Sequence, residues 1–213
     1  MSYDQAYKEI PDYFGADPSP LLVDFHHLIE KIRPVLDIGA GQGRNCLFLA
    51  RQGFSVDAID PSQVGIDHIS RVATDESLSI RACRTGFEGF EADQGLYGAV
   101  LVFGIIQVLP RELIGRLIER IGDWTASGSL IMISAFTTED PGFGKIAAVS
   151  EKLGKNSFRI DKDNIRTFLD PDEILTLFGD YKTVHHWQGL GPVQRHGGKE
   201  PHRHGVVQAV FRR

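Results

Sequence analysis

The sequence predicts an α/β fold: a mostly parallel sheet of about seven strands, helices on both faces, and one antiparallel strand near the end. Three observations carry this reading. From Pro20 onward, short apolar runs alternate with segments of helical period. Val35-Leu36-Asp37-Ile38 runs straight into Gly39 and a helix-compatible stretch, a strand, glycine loop and helix in sequence. The last two apolar runs alternate at strand period with no helix between them.

Taken in order, Leu21, Phe25, Leu28 and Ile32 recur every three or four positions after Pro20, which predicts one amphipathic helix over residues 20–33. Strand 35–38 hands over to a helix with Cys46, Leu49 and Ala50 facing inward. Phe54–Ile59 alternates as a second strand ending at Asp60, and a helix with Val64, Ile66 and Ile69 follows from Pro61. Leu78–Cys83 can make a third strand, and Ala99–Phe103 is a continuous apolar run suited to a strand buried on both faces. Pro110 opens a helix carrying Leu113, Leu117 and Ile121, and Ser129–Ser134 supplies the fifth strand. Residues 137–169 break the rhythm and read as an insertion or lid, with Ile146, Val149 and Leu153 on a short helix ending near Gly154. Asp170-Pro171-Asp172-Glu173 signals a helix start, Gly179 its stop, and the runs 181–187 and 205–211 are the closing strands.

At 213 residues, 42% hydrophobic and 24% charged, the chain fills one domain. Within it, 1–34 reads as N-terminal cap and helix, 35–136 as the ligand-binding core, 137–169 as insertion and 170–213 as C-terminal helix and strand pair. No basic cap precedes an apolar run, and no segment approaches the roughly 20 apolar residues of a spanning helix, so a soluble cytoplasmic protein without a membrane partner is expected. Cys46 and Cys83 form no C-x-x-C pair and are expected as buried apolar side chains. The net charge of −5 argues against a nucleic-acid partner and leaves small molecules and other proteins. A monomer or homodimer is expected.

The chemistry is written at the end of the first two strands. In Gly39-Ala40-Gly41-Gln42-Gly43 the missing Cβ atoms let the backbone turn sharply and approach a ligand. The dinucleotide fingerprint needs Gly or Ala at position 44; this chain has Arg44, which counts against NAD and FAD. Asp37 either braces the loop or meets an ammonium group through water. Asp60 either binds ribose hydroxyls, as an acid at the end of a second strand does, or caps the next helix.

The stretch Val35-Leu36-Asp37-Ile38-Gly39-Ala40-Gly41-Gln42-Gly43-Arg44-Asn45 resembles the first motif of class I S-adenosylmethionine-dependent methyltransferases, and Asp60 matches their second. The continuation to Ala50, with Pro201-His202-Arg203-His204 before the last strand, resembles the tellurite-resistance-type branch of small-molecule methyltransferases. The resemblance implies a Rossmann-like class I methyltransferase fold and S-adenosyl-L-methionine as methyl donor, with S-adenosyl-L-homocysteine as product. It implies that Gly39, Gly41 and Gly43 line the methionine moiety and that Asp60 holds the ribose. Asp37, Ala40 and Pro61 complete that set. Where many members place an acid for adenine, this chain has Arg84-Thr85-Gly86-Phe87, so Thr85, Gly86 and Phe87 are the adenine candidates. Gly104 and Ile105 fall where members contact the donor near its sulfur.

In such a transfer the donor carries most of the chemistry, by in-line displacement onto a small-molecule acceptor. A base, where one is needed, is sought among His185, His186, His196, His202 and His204. These are read as surface histidines, as an acceptor rim with Arg195 and Arg203, or as a metal site; His202 and Arg203 are taken as the acceptor-side pair and no metal is expected. Residues 1–19, 137–169 and 188–204 are expected to form lids and to select the acceptor. Two other functions remain open on sequence: a non-catalytic donor-binding protein and a Rossmann NAD(P)-dependent oxidoreductase.

Overall fold

The computed structural model describes residues 3–162, 164–194 and 200–213. Seven strands form one sheet: β1 (Val35–Ile38), β2 (Val56–Asp60), β3 (Ile80–Arg84), β4 (Tyr97–Phe103), β5 (Thr125–Phe136), β9 (Lys182–Leu190) and β10 (Gly205–Arg212). Their spatial order is β3-β2-β1-β4-β5-β10-β9. Strands β1 to β5 pair parallel, and β10 runs antiparallel to both β5 and β9. The sheet has the predicted seven-stranded, mostly parallel form with its antiparallel strand near the end of the chain.

Alternate residues of each buried strand feed two apolar layers, because successive side chains leave a strand on opposite faces. On one face Leu36, Val100, Val102, Ile131 and Ile133 pack with Ile114, Leu117, Ile121 and Trp124 of α5 (Leu113–Trp124) and with Ile174 of α7 (Glu173–Leu177). On the other, Val35, Val56, Ala58, Leu101 and Met132 pack with α2 (Pro20–Phe25), α3 (Arg44–Arg51) and α4 (Gln63–Asp75). Helix α4 opens at Ser62, whose hydroxyl accepts from Gly65 N at 3.1 Å, rather than at Pro61. Glu173 caps back as its position suggested, accepting from Asp170 N at 2.8 Å, but the helix opens at Glu173 with Asp172 as its N-cap rather than at Pro171.

Two expectations fail. The helix predicted over 20–33 ends at Phe25 and continues only as a single tight turn, His26–Leu28. Ile29 is extended and buried, whereas Ile32 is 87% exposed. Pro34 restricts only the residues just before it, so it sets the extended entry into β1 at Arg33 but does not reach back to the helix end at Phe25. The insertion holds α6 (Phe143–Val149), but Leu153 lies on a strand, not a helix: β6 (Glu151–Gly154), β7 (Ser157–Arg159) and β8 (Ile165–Thr167) form a separate antiparallel sheet. These strands are short, three residues each in β7 and β8, so period-2 patterning had almost nothing to act on.

A last helix, α1 (Tyr3–Glu9), lies over the loop that follows β1. Asp4 Oδ1 accepts from Ser62 Oγ at 2.5 Å, Gln42 Nε2 donates to Ile10 O at 3.3 Å and its Oε1 accepts from Tyr13 N at 2.7 Å, and Arg44 Nη1 donates to Phe14 O at 2.9 Å.

Candidate functional site

A cleft of about 1110 Å³ opens at the carboxyl edge of the sheet, roofed by α1 and bordered by the insertion and by the segment before β10. Open α/β sheets bind ligands there because the strand ends point into space that helices leave uncovered. Here β1 and β4 are neighbours whose helices lie on opposite faces of the sheet, which creates the opening.

The loop after β1 forms one wall. Gly39 N and Ala40 N both donate to Ile59 O, at 2.8 and 3.0 Å, and Gly41 N donates to Asp60 Oδ2 at 2.8 Å. Gly39, Gly41 and Gly43 all hold positive φ. At Gly39 a Cβ would collide with the Ile105 side chain, so the glycine brings the ends of β1 and β4 together as well as baring backbone. Asp60 Oδ1 accepts from Ser62 N at 2.7 Å. Burial pushes the Asp60 carboxyl up, against the pull of the Ser62 and Gly41 N–H groups.

Of the sequence-predicted residues, Gly39, Ala40, Gly41, Asp60, Pro61, Thr85, Gly86, Phe87, Gly104, Ile105 and His202 all line this one cleft. Three do not. Asp37 is buried beneath the loop, where it accepts from the Cys46 backbone N–H at the start of α3. Its Oδ2 has no partner among the described residues, and burial pushes the carboxyl up to about 7 despite the nearby Arg44 charge. Gly43 faces inward, where a Cβ would strike Ile69 of α4. Arg203 is exposed and points away, because strand-like alternation puts His202 and His204 on the cleft side and Arg203 on the other. Arg195 and His196 lie outside the described residues. His185 lines the cleft, while His186 lies outside the lining, 3.7 Å from Asp172. Among the described residues no group of three or more His, Cys, Asp or Glu side chains could hold a metal ion.

The half of the cleft nearest β5 and β10 holds residues that the sequence did not single out. Phe136, at the end of β5, stacks on His204 with ring centroids 4.2 Å apart and on Phe168 at 6.2 Å, and the Arg166 guanidinium lies 5.6 Å from its centroid. Arg166 also hydrogen-bonds the Tyr3 hydroxyl, joining insertion to cap. Asp140 is buried; its Oδ2 lies 2.7 Å from His204 Nδ1 and accepts from Gly205 N at 3.1 Å, and its Oδ1 accepts from Gly142 N at 2.7 Å. Burial pushes this carboxyl up, but the His204 and backbone hydrogen bonds outweigh it and hold the group below the ordinary aspartate range. Asp140 is therefore an ionised acceptor, and the hydrogen between the pair sits on His204 Nδ1. The one available signal was that a long connection at a strand end tends to carry function.

Comparison with known proteins agrees with this architecture. The family model of the tellurite resistance protein TehB matches residues 20–185. A ubiquinone biosynthesis O-methyltransferase of Rickettsia akari is 36% identical over 152 residues, 68% of this chain and 57% of the relative. The probable S-adenosyl-L-methionine-dependent methyltransferase TehB of Haemophilus influenzae is 26% identical over 107 residues, 50% of this chain and 37% of the relative. Hemagglutinin 1 of Eikenella corrodens is 32% identical over 111 residues, 49% of this chain and 35% of the relative, so the chain spans only about a third to two thirds of the curated relatives it matches. Among solved structures, TehB from Haemophilus influenzae superposes with a TM-score of 0.74 at 16% identity, covering 100% of this chain and 68% of that one. The 1,6-didemethyltoxoflavin-N1-methyltransferase of Burkholderia thailandensis, solved with bound 1,6-didemethyltoxoflavin and S-adenosylhomocysteine, does so at 0.69 and 16%, covering 99% and 87%. At such identities the structures speak to fold, and the family model carries the assignment. The chain belongs to the TehB family of class I S-adenosylmethionine-dependent methyltransferases.

Proposed function

We propose that the protein transfers the methyl group of S-adenosyl-L-methionine to a small-molecule acceptor by in-line displacement, as one domain acting in the cytoplasm as a monomer or homodimer. The observation that carries the donor side is Asp60, a buried carboxylate in the cleft wall, held by two backbone N–H groups beside a loop whose backbone is bare at Gly39 and Gly41. These residues fit the donor. The remaining lone pairs of Asp60 suit ribose hydroxyls. Gly86 offers open space, its absent Cβ meeting only Pro61 Cγ at 4.0 Å, so Pro61, Thr85 and the edge of the otherwise buried Phe87 suit a flat purine. The glycine loop suits the amino-acid end, and Gly104 and Ile105 the region of the sulfur.

When bound, the donor supplies an electrophilic methyl carbon, so the chain's work is positioning and exclusion of water. Tyr3, Tyr7 and Phe14 in the cap, all lining the cleft, keep solvent from the donor half. Among the described residues no helix is long and apolar enough to cross a membrane, and Cys46 and Cys83 are both free thiols, which suits a reducing compartment.

The test is calorimetric titration of S-adenosylmethionine and S-adenosylhomocysteine into wild type, Asp60→Ala and Asp60→Asn. Wild type should bind both. Asp60→Asn keeps one acceptor oxygen, for either Gly41 N or Ser62 N, so it disturbs the loop less than Asp60→Ala does. It should still lose about tenfold or more in affinity, the worth of a charge-assisted hydrogen bond. Absence of heat with either ligand in wild type overturns the proposal.

A further inference from the structure

Resting on the donor site proposed above, the geometry points to His204 as the group that takes a proton from the acceptor, with Asp140 as its positioning residue, and hence to acceptors with a weakly acidic hydroxyl on an aromatic ring. Strand β10 runs antiparallel to β5, with Val206 opposite Phe136, so its N-terminal end meets the carboxyl edge where the parallel strands stop. His204 therefore stands at the acceptor end of the cleft, beyond Gly104 and Ile105 as seen from the glycine loop.

Among the described residues, two of its contacts orient the ring. Asp140 holds Nδ1 at 2.7 Å, and Phe136 stacks on its face at 4.2 Å with the planes 22° apart. A histidine needed only for packing would not require a buried, ionised aspartate that is itself tied to Gly142 N and Gly205 N. With Nδ1–H donated to Asp140, the proton exchanged with a substrate passes through Nε2, and the aspartate stabilises the imidazolium that forms. The surroundings suit a flat ring: Phe136, Phe168 and Trp187 line this half. Among the described residues, the charged and titratable groups lining this part of the cleft include His202 beside His204 at 4.9 Å, His185 from β9, Arg166 from β8, Asp24 from α2 and Tyr3 from the cap.

The step balances without any further reactant. The phenolic oxygen forms a bond to the methyl carbon as the C–S bond breaks. The sulfur keeps that electron pair and becomes a neutral thioether, and the phenolic proton moves to His204 Nε2, from which it leaves to water. An acceptor that is already a nucleophilic anion would need no such base.

The experiment measures methyl transfer to a panel of simple phenols and hydroxybenzoates across pH, in wild type, His204→Gln and Asp140→Asn, with S-adenosylhomocysteine affinity as the control for folding. Wild-type kcat/KM should fall in acid, where a protonated imidazole cannot accept. His204→Gln should lose about 10²- to 10⁴-fold in kcat, with what remains rising toward the phenol's own ionisation near pH ~10. Asp140→Asn should lose about tenfold or more and shift the acid limb. Normal S-adenosylhomocysteine binding with no phenol methylated, or with both variants as active as wild type on an unchanged pH profile, overturns this inference alone. Failure of wild type to bind S-adenosylhomocysteine overturns the donor site beneath it.

Discussion

Replacing Asp37 by Asn removes a charge that the fold accommodates badly. The carboxyl is buried beneath the glycine loop with one oxygen unpartnered among the described residues, and its ionisation is pushed from 3.8 up to about 7. A carboxyl raised on folding contributes stability that is complete below about pH 4 and lost as pH rises through about 7. At about 1.4 kcal/mol per pH unit, the full window is worth up to about 4 kcal/mol, and the part between pH 5 and 8 about 2–3 kcal/mol. Other carboxyls run the opposite way: Asp140, Asp170 and Glu173 are held low by their partners and gain stability as pH rises. Only the difference between variant and wild type isolates Asp37, since those contributions cancel in it. Urea unfolding at pH 5, 6, 7 and 8 should show Asp37→Asn improving against wild type by about 2–3 kcal/mol across the series, at equal m-values. Parallel stability curves for the two proteins would refute the assignment of a buried, unsolvated charge.

Two further predictions follow from packing. Ile29→Ala should cost about 2–4 kcal/mol by emptying a buried site, while Ile32→Ala should stay within about 0.5 kcal/mol of wild type, both by chemical denaturation; equal losses would restore the longer helix. Gly205→Ala places a Cβ against the backbone of Glu139 and Asp140, its carbonyl neighbour Glu139 C only 2.5 Å away. It should cost several kcal/mol, at least about 3, and lower the melting temperature far more than a surface change would; an unchanged melting temperature would mean that the 139–142 loop is not seated on β10.

What could be read from the chain beforehand follows the distance over which each feature is determined. Gly39, Ala40, Gly41 and Asp60 are parts of one local strand, loop and helix unit, so residue type and spacing were enough to place them in one cleft. The pairing of Asp140 with His204 joins residues 64 apart and depends on β10 running antiparallel beside β5, which periodicity does not encode. Arg203 was singled out as a cation, but a single residue's strand alternation decides which side it faces. The β6–β8 sheet escaped notice because its strands are too short to show a period and are fixed by tertiary contacts, such as Thr167 Oγ1 donating to Leu109 O at 2.6 Å. Ile32 shows the opposite error: a helical period was present, but the helix stops at Phe25 before reaching it.

The cap grips the loop it covers, through Gln42, Arg44 and Ser62, and Tyr7 packs against Gly41 and Gly65. Floor and roof of the cleft's glycine-loop half are thus one hydrogen-bonded body: whatever displaces residues 3–19 also pulls on the loop at Gln42 and Arg44 and on the start of α4 at Ser62, so cap and loop are coupled rather than independent walls.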